Sequence, residues 1–388
     1  MEFTIALYIC LAVLGAILFI GSSRRPANET AFFDRITSKE IQGVLAVFIM
    51  FHQTVIALDA NRIDSGDMMF FYYYGILAVA FFFFSSGFGL IKRWMTDENY
   101  IKGFMRRRTF TVLVPFFICN YIYLTDALLN NIASRKTFGF GEVICSFFGL
   151  FLVNNEMWFA VEIMILYVFF RIVFSKVKKP LTGILLMTCV VLVMMAVGLF
   201  SGHSETGVMS YWFKGEWWYN TILMFPVGML YAYKEERINQ VIKKAFVSLL
   251  LASGILVVLM DHVHRNLISG HHIYWTEYEG SANPILDKLI GLGQETIFEI
   301  AFLILVITLM SRIRISNPVI KFFGKISLEV IMLNYLLIDK LYFLYKIYGI
   351  GVYLPAVVAG TLVCASLVYL VKNIVLEKKS GLFDGKIT

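Results

Sequence analysis

Apolar stretches of about bilayer-crossing length recur eleven times along the sequence, at 3–21, 41–58, 70–91, 109–128, 157–174, 181–200, 217–233, 245–261, 291–310, 326–345 and 353–373. An α-helix needs roughly 20 apolar residues to cover the hydrocarbon core. The pattern therefore predicts an all-α, polytopic membrane bundle of about 10–11 helices. Composition agrees: 59% of the 388 residues are hydrophobic, only 16% are charged, and the mean hydropathy is +0.74. Soluble domains carry about 25% charged residues. Disorder is excluded by 36 Phe, 20 Tyr and 6 Trp.

The net charge of +7 acquires meaning from its placement. Alternate loops contain 26 of the 34 Lys and Arg residues, and cytoplasmic loops are the ones enriched in these residues. This places the N-terminus outside and the C-terminus in the cytoplasm. The positive charge is thus topology and implies no nucleic-acid partner; the partner is the lipid bilayer. The whole chain, 1–388, reads as a single membrane domain, with 3–21 an extra span before a core of 37–373. The span at 3–21 lacks the basic start and small-residue cleavage site of a secretory signal, so it reads as retained. The apolar stretch 142–153 is too short to cross and reads as interfacial or as an extension of its neighbour. The five cysteines include no closely spaced pair, and no closed metal motif is present, so no metal is expected.

Ionisable residues within a span are costly and are functional candidates by default. His52, in VLAVFIMFHQTV, is the one histidine of six well inside a span. A neutral imidazole takes and returns a proton near neutral pH, which suits a general base. The alternative is a histidine that only bonds a neighbouring helix.

Several short motifs occur in a fixed order around it: KEIQGVLAVFIMFHQ; FFFFSSGFGLIKRW with Ser86, Gly87 and Phe88; FMRRRTFTVLVPFF with Arg106, Arg107, Arg108 and Pro115; MWFAVEIMILYVFF with Trp158 and Tyr167; LMFPVGMLYA; and FGKISLEVIMLNYLL. In this order they resemble the acyltransferase-3 family of integral-membrane O-acyltransferases, over about residues 37–370. The resemblance implies transfer of an acyl group, usually acetyl, from cytoplasmic acyl-CoA to a hydroxyl of an extracytoplasmic or lipid-linked glycan, as in surface-carbohydrate O-acetylation. The chain would then reside in the cytoplasmic (plasma) membrane. The family's histidine matches His52, as general base or acyl relay. Arg93 and Arg106–Arg108, with Lys92, make the densest basic cluster and suit the phosphates of acetyl-CoA, the acyl-donor co-substrate; plain positive-inside charge explains each of them equally well. Ser86 and Gly87 give room for a pantetheine arm or for a close helix.

The chain departs from the family pattern at three places. The family's basic residue eleven positions before the histidine is replaced by Ile41, with Gln42 and Lys39 as neighbours on other faces. Glu162 follows Trp158 by four residues where many relatives have five; it is expected to orient His52, to bond a sugar hydroxyl, or to make an interhelical hydrogen bond. Asn334 stands where many relatives have histidine, which leaves it a positioning role because an amide exchanges no proton near neutral pH. Trp158, Asn334 and Trp217 are the substrate-binding candidates, Trp217 from the aromatic outer segment SYWFKGEWWYN. The outer segment MDHVHRNLISGHHIYWTEYEG reads as acceptor recognition or as an interfacial aromatic belt. A transporter or flippase for a lipid-linked sugar or small metabolite is the competing reading, although no internal repeat supports it. The sequence leaves the oligomeric state open.

Overall fold

A computed structural model describes residues 2–26, 29, 31–134, 139–201, 210–211, 215, 218–269 and 282–384. The described helices are α1 (Glu2–Phe19), α2 (Arg35–Ala60), α3 (Met69–Thr96), α4 (Phe104–Arg108), α5 (Val114–Ser134), α6 (Phe140–Phe147), α7 (Trp158–Phe174) and α8 (Pro180–Ser201). They continue with α9 (Met224–Lys244), α10 (Phe246–Ser269), α11 (Pro284–Met310), α12 (Pro318–Lys340), α13 (Tyr342–Tyr348) and α14 (Ile350–Asp384). Among the described residues, nine helical segments are long and apolar enough to cross a membrane. The expected spans at 217–233 and 326–345 correspond to α9 and α12, whose windows carry more charge.

Both boundaries shift for local reasons. Helix α12 starts eight residues early because Asn317 caps it, its side chain accepting from the Ile320 N–H at 2.9 Å, with Pro318 in the first turn. Helix α9 starts at Met224 and runs on into the charged stretch KEERINQVIKK. The short apolar stretch after residue 139 forms α6, and Phe140, Ile144 and Phe147 are exposed on it.

Helices α2 and α3 form the centre, with 78% and 72% of their apolar windows buried, against 11% for the segment of α1 and 6% for that of α10. Backbones touch where side chains are missing. A Cβ at Gly87 would overlap the Phe225 carbonyl and one at Gly228 the Phe84 carbonyl, which locks α3 to α9. Gly43 and Gly324 do the same for α2 and α12. Such small-residue contacts are how membrane helices pack without a hydrophobic driving force between them.

Loops expected on one side of the membrane do meet. Strand β1 (Ser23–Arg24) pairs antiparallel with β4 (Ile313–Arg314) at one end of the bundle. At the other end β2 (Phe151–Leu152) pairs with β3 (Ser210–Tyr211), Thr4 bonds Asp67 at 2.7 Å, and the Glu2 carboxylate accepts from the Ile350 N–H at 2.7 Å. These contacts agree with the alternation of basic and non-basic loops.

Candidate active site

Helix α2 begins where Asp34 accepts from the Thr37 N–H at 2.7 Å, and it continues unbroken past His52. His52 lies seventeen residues from that start, about 25 Å along the axis. Its Nδ1 is 3.0 Å from the carbonyl oxygen of Phe71, in the first turn of α3. A carbonyl only accepts, so Nδ1 holds the hydrogen and Nε2 of the neutral ring is the basic nitrogen. Gly75, one turn further along α3, makes this placement feasible: a Cβ there would overlap Nδ1, Cγ and Cε1 of the ring.

The ring lines a cavity of about 70 Å³ whose polar wall is His52, Gln53 and Glu156. The remaining wall is Trp158, Phe159, Phe82, Val79, Ile49 and Ile331, contributed by α7, α3, α2 and α12. Glu156 sits in a single 3₁₀ turn, Asn155–Met157, started by Asn154, whose side chain accepts from the Glu156 N–H at 3.1 Å. Gln53 Nε2 donates to the Glu156 carboxylate at 2.8 Å and so fixes it against α2. Gln53 Oε1 is buried with no hydrogen-bond partner among the described residues.

The structure brings His52 and Trp158 into this one cavity. Glu162, one turn beyond Trp158 on α7, is fully buried and does not line it; neither carboxylate oxygen has a hydrogen-bond partner among the described residues. The carboxylate beside His52 is Glu156. Asn334 lies three residues past Ile331 on α12, fully buried, with both amide atoms unpaired among the described residues. Trp217 lies outside the described residues, as does 270–281 of the histidine-rich outer segment.

The basic candidates separate. A π-bulge at 109–113, next to Pro115, joins α4 to α5; proline lacks the N–H that a regular turn would use there. Arg108, at its start, points inward: its guanidinium lies 4.7 Å from the Tyr167 ring centre and 5.2 Å from that of Phe104, and it donates to Tyr100 Oη at 2.8 Å. Tyr167 Oη in turn bonds Ser86 Oγ at 2.8 Å. Arg107 is more exposed and donates to the carbonyls of Lys102 (2.9 Å) and Tyr100, holding the loop before α4. Arg106 is exposed, and so is Arg93, which pairs with Asp97 at 3.4 Å. Gly87 is accounted for by the contact with α9.

Helix α2 shows no bulge to turn a basic residue toward His52. Gln42 donates to Ser85 Oγ at 2.5 Å, and Lys39 is accessible with Arg35, Arg108, Lys372 and Glu329 as its electrostatic neighbours. Lys372 is itself paired with Glu329 across α14 and α12. The expected cytoplasmic ends of α2, α4 and α14 thus gather an excess of cations at the end of the bundle opposite the His52 cavity.

Sequence reasoning did not find Gln53, Glu156 or Gly75. The signals were slight: a glutamine next to the histidine, an Asn-x-Glu turn before Trp158, and a glycine among three tyrosines.

A helical bundle with a histidine-lined cavity at one depth and a cation cluster at the other end of the same helices is a multi-pass membrane protein built around an internal site. A family model described as an acyltransferase domain, of the acyltransferase-3 type, matches residues 41–370, and the chain belongs to that family. It is a membrane acyltransferase, and the match begins within α2, leaving α1 outside it. No curated protein and no solved structure matches the chain.

Proposed function

We propose that this acyltransferase moves an acetyl group from acetyl-CoA, bound at the cytoplasmic cation cluster, to a hydroxyl of an extracytoplasmic or lipid-linked glycan in the plasma membrane. One observation carries the reading: the Phe71 carbonyl fixes His52 as the Nδ1–H tautomer, which leaves Nε2 as the base on a ring lining a cavity that also holds Gln53, Glu156 and Trp158. In the proposed step Nε2 takes the acceptor hydroxyl's proton while the oxygen attacks the thioester carbonyl. The C–S bond then breaks, and the CoA thiolate leaves with the proton returned from Nε2. His52 ends as it began.

Acceptor binding falls to groups suited to a polyol. Trp158 offers an aromatic face, Glu156 accepts hydroxyl protons, and the unpaired Oε1 of Gln53 accepts another. Donor binding falls to Arg108 and Lys39. Arg108 adds a planar fork suited to phosphate, and Lys39 an accessible point charge. Gly75, facing His52, and Ser86, beneath Arg108, are eleven residues apart on α3, about 16 Å, a gap that an extended pantetheine arm would bridge.

The test is heat stability of the purified protein in detergent against acetyl-CoA and free CoA. A ligand binding only the folded state raises stability with its concentration. The parent is expected to be stabilised by both, and an Arg108→Ala variant only at roughly 10–100-fold higher concentration. A parent that neither compound stabilises would overturn the donor assignment.

A further inference from the structure

The cavity beside His52 also bounds the group that is transferred, an inference that rests on the acyl-transfer reading above. Its volume of about 70 Å³ is less than half the ~150 Å³ of an apolar cavity that accepts benzene. Two carbons of an acyl group, together with the carbon bearing the acceptor hydroxyl, fill such a space. The apolar wall has little freedom to recede. Ile49 is 2% exposed and Phe82 and Ile331 are each 6% exposed. The Phe82 ring meets Phe159 edge-on at 5.8 Å, and Phe159 is backed by Phe83 at 5.0 Å.

Phe82 has the decisive position. It lies one turn from Ser86 on α3, between the Ser86–Tyr167–Arg108 end of the site and His52. Helical side chains lean toward the helix N-terminus, so from α3 Phe82 leans toward the His52 level. With its carbonyl beside Nε2 and its sulfur directed toward Ser86, an acyl tail turns at the planar carbonyl carbon across the cavity, whose walls there are Phe82, Phe159 and Ile331. In an apolar pocket of fixed shape one methylene discriminates substrates by ~10–200-fold.

We propose that Phe82, with Ile331 opposite, closes the acyl pocket at about two carbons and makes this chain selective for acetyl over longer donors. The test uses thioether analogues of acetyl-, butyryl- and hexanoyl-CoA, which resist turnover and so need no known acceptor. Binding is read from the concentration dependence of heat stability, with free CoA as reference. The parent is expected to bind the acetyl analogue at least ~100-fold more tightly than the butyryl one, two methylenes at ~10-fold each. Phe82→Ala should bring the hexanoyl and acetyl analogues to within ~10-fold of each other, the discrimination left by about one methylene. Ile331→Ala, a smaller change, covers the event that the phenylalanine variant does not fold. Val79→Phe should fill the cavity and abolish the acetyl preference over free CoA.

Equal binding of all three analogues by the parent, or enlarged variants that keep the parent's ranking, would overturn the pocket while leaving the CoA-donor reading intact. No binding of any CoA compound, free CoA included, removes both.

Discussion

Two regions of the bundle place polar groups inside the membrane, and they do so for different ends. In the centre, α2 presents His52 and Gln53 and the turn before α7 presents Glu156 to a cavity, and the histidine is tied to backbone rather than to another side chain. At the periphery, α10 and α11 hold a ladder in which side chains satisfy one another. His264 Nδ1 donates to Gln294 Oε1 at 3.0 Å, Gln294 Nε2 donates to the Met260 carbonyl at 2.9 Å, and Asp261 and Arg265 pair at 3.0 Å on α10. A buried polar group that spends its hydrogen bonds on its neighbours is glue between helices. One on a ring that lines a cavity is placed for chemistry. The two histidines therefore set up a direct comparison.

The largest expected effect is on the central one. His52→Ala should lower acyl transfer by ~10²–10⁴-fold, the usual contribution of a positioned general base. Binding of CoA at the proposed cation cluster, at the other end of α2, should be unchanged. Transfer at the parental rate would place the chemistry elsewhere and dissolve the distinction between the regions.

Gly75→Ala sharpens the same point without touching the imidazole's chemistry. The added methyl overlaps the ring and must displace it or α3, and misplacing a catalytic group by about 1 Å costs ~10²-fold. Gly89, on the same helix, has nothing within 4 Å of a built Cβ, so Gly89→Ala should leave transfer unchanged. Equal activities of the two variants, in a membrane-vesicle transfer assay, would show that ring position does not limit the rate.

The arginine triplet divides next. Removing a charge-assisted hydrogen bond costs ~1.5–3 kcal/mol, so Arg108→Ala should weaken CoA binding by roughly 10–100-fold. Arg107→Ala removes bonds to two loop carbonyls instead. It should lower heat stability and leave CoA affinity near the parent's. The reverse pattern would move the phosphate site to the outer face of α4.

These contrasts also mark what was legible in the sequence. The helices were, because a bilayer-length apolar window has one physical meaning; their ends moved by several residues, as at α12, capped by Asn317, and at α9, which runs into a charged extension. His52 stood out because charge inside a span is rare. Glu156 did not, since its place beside His52 depends on Gln53, 103 positions away, and no local pattern encodes that distance. Arg107 and Arg108 are adjacent in sequence and differ in partners because successive helical residues project about 100° apart, which the residue types alone do not reveal. Glu162, expected to orient His52, to bond a sugar hydroxyl or to bond a neighbouring helix, does not line the cavity, whereas Glu156 from the turn before α7 does.

The smallest effect belongs to the peripheral ladder. Interhelical hydrogen bonds within membranes average about 0.6 kcal/mol, so His264→Ala should lower the stability of the α10–α11 pair only slightly. Gln294 would lose a donor but keep its bond to the Met260 carbonyl. Transfer activity and CoA affinity should both match the parent, while heat stability falls by an amount that a matching Gln294→Ala change does not double, because both substitutions break the same contact. A drop in transfer comparable to that of His52→Ala, with stability unaltered, would make the ladder part of the reaction. The Tyr72 and Tyr73 rings, 5.5 Å apart and reaching from His52 toward His264, would then be the place to look for the connection.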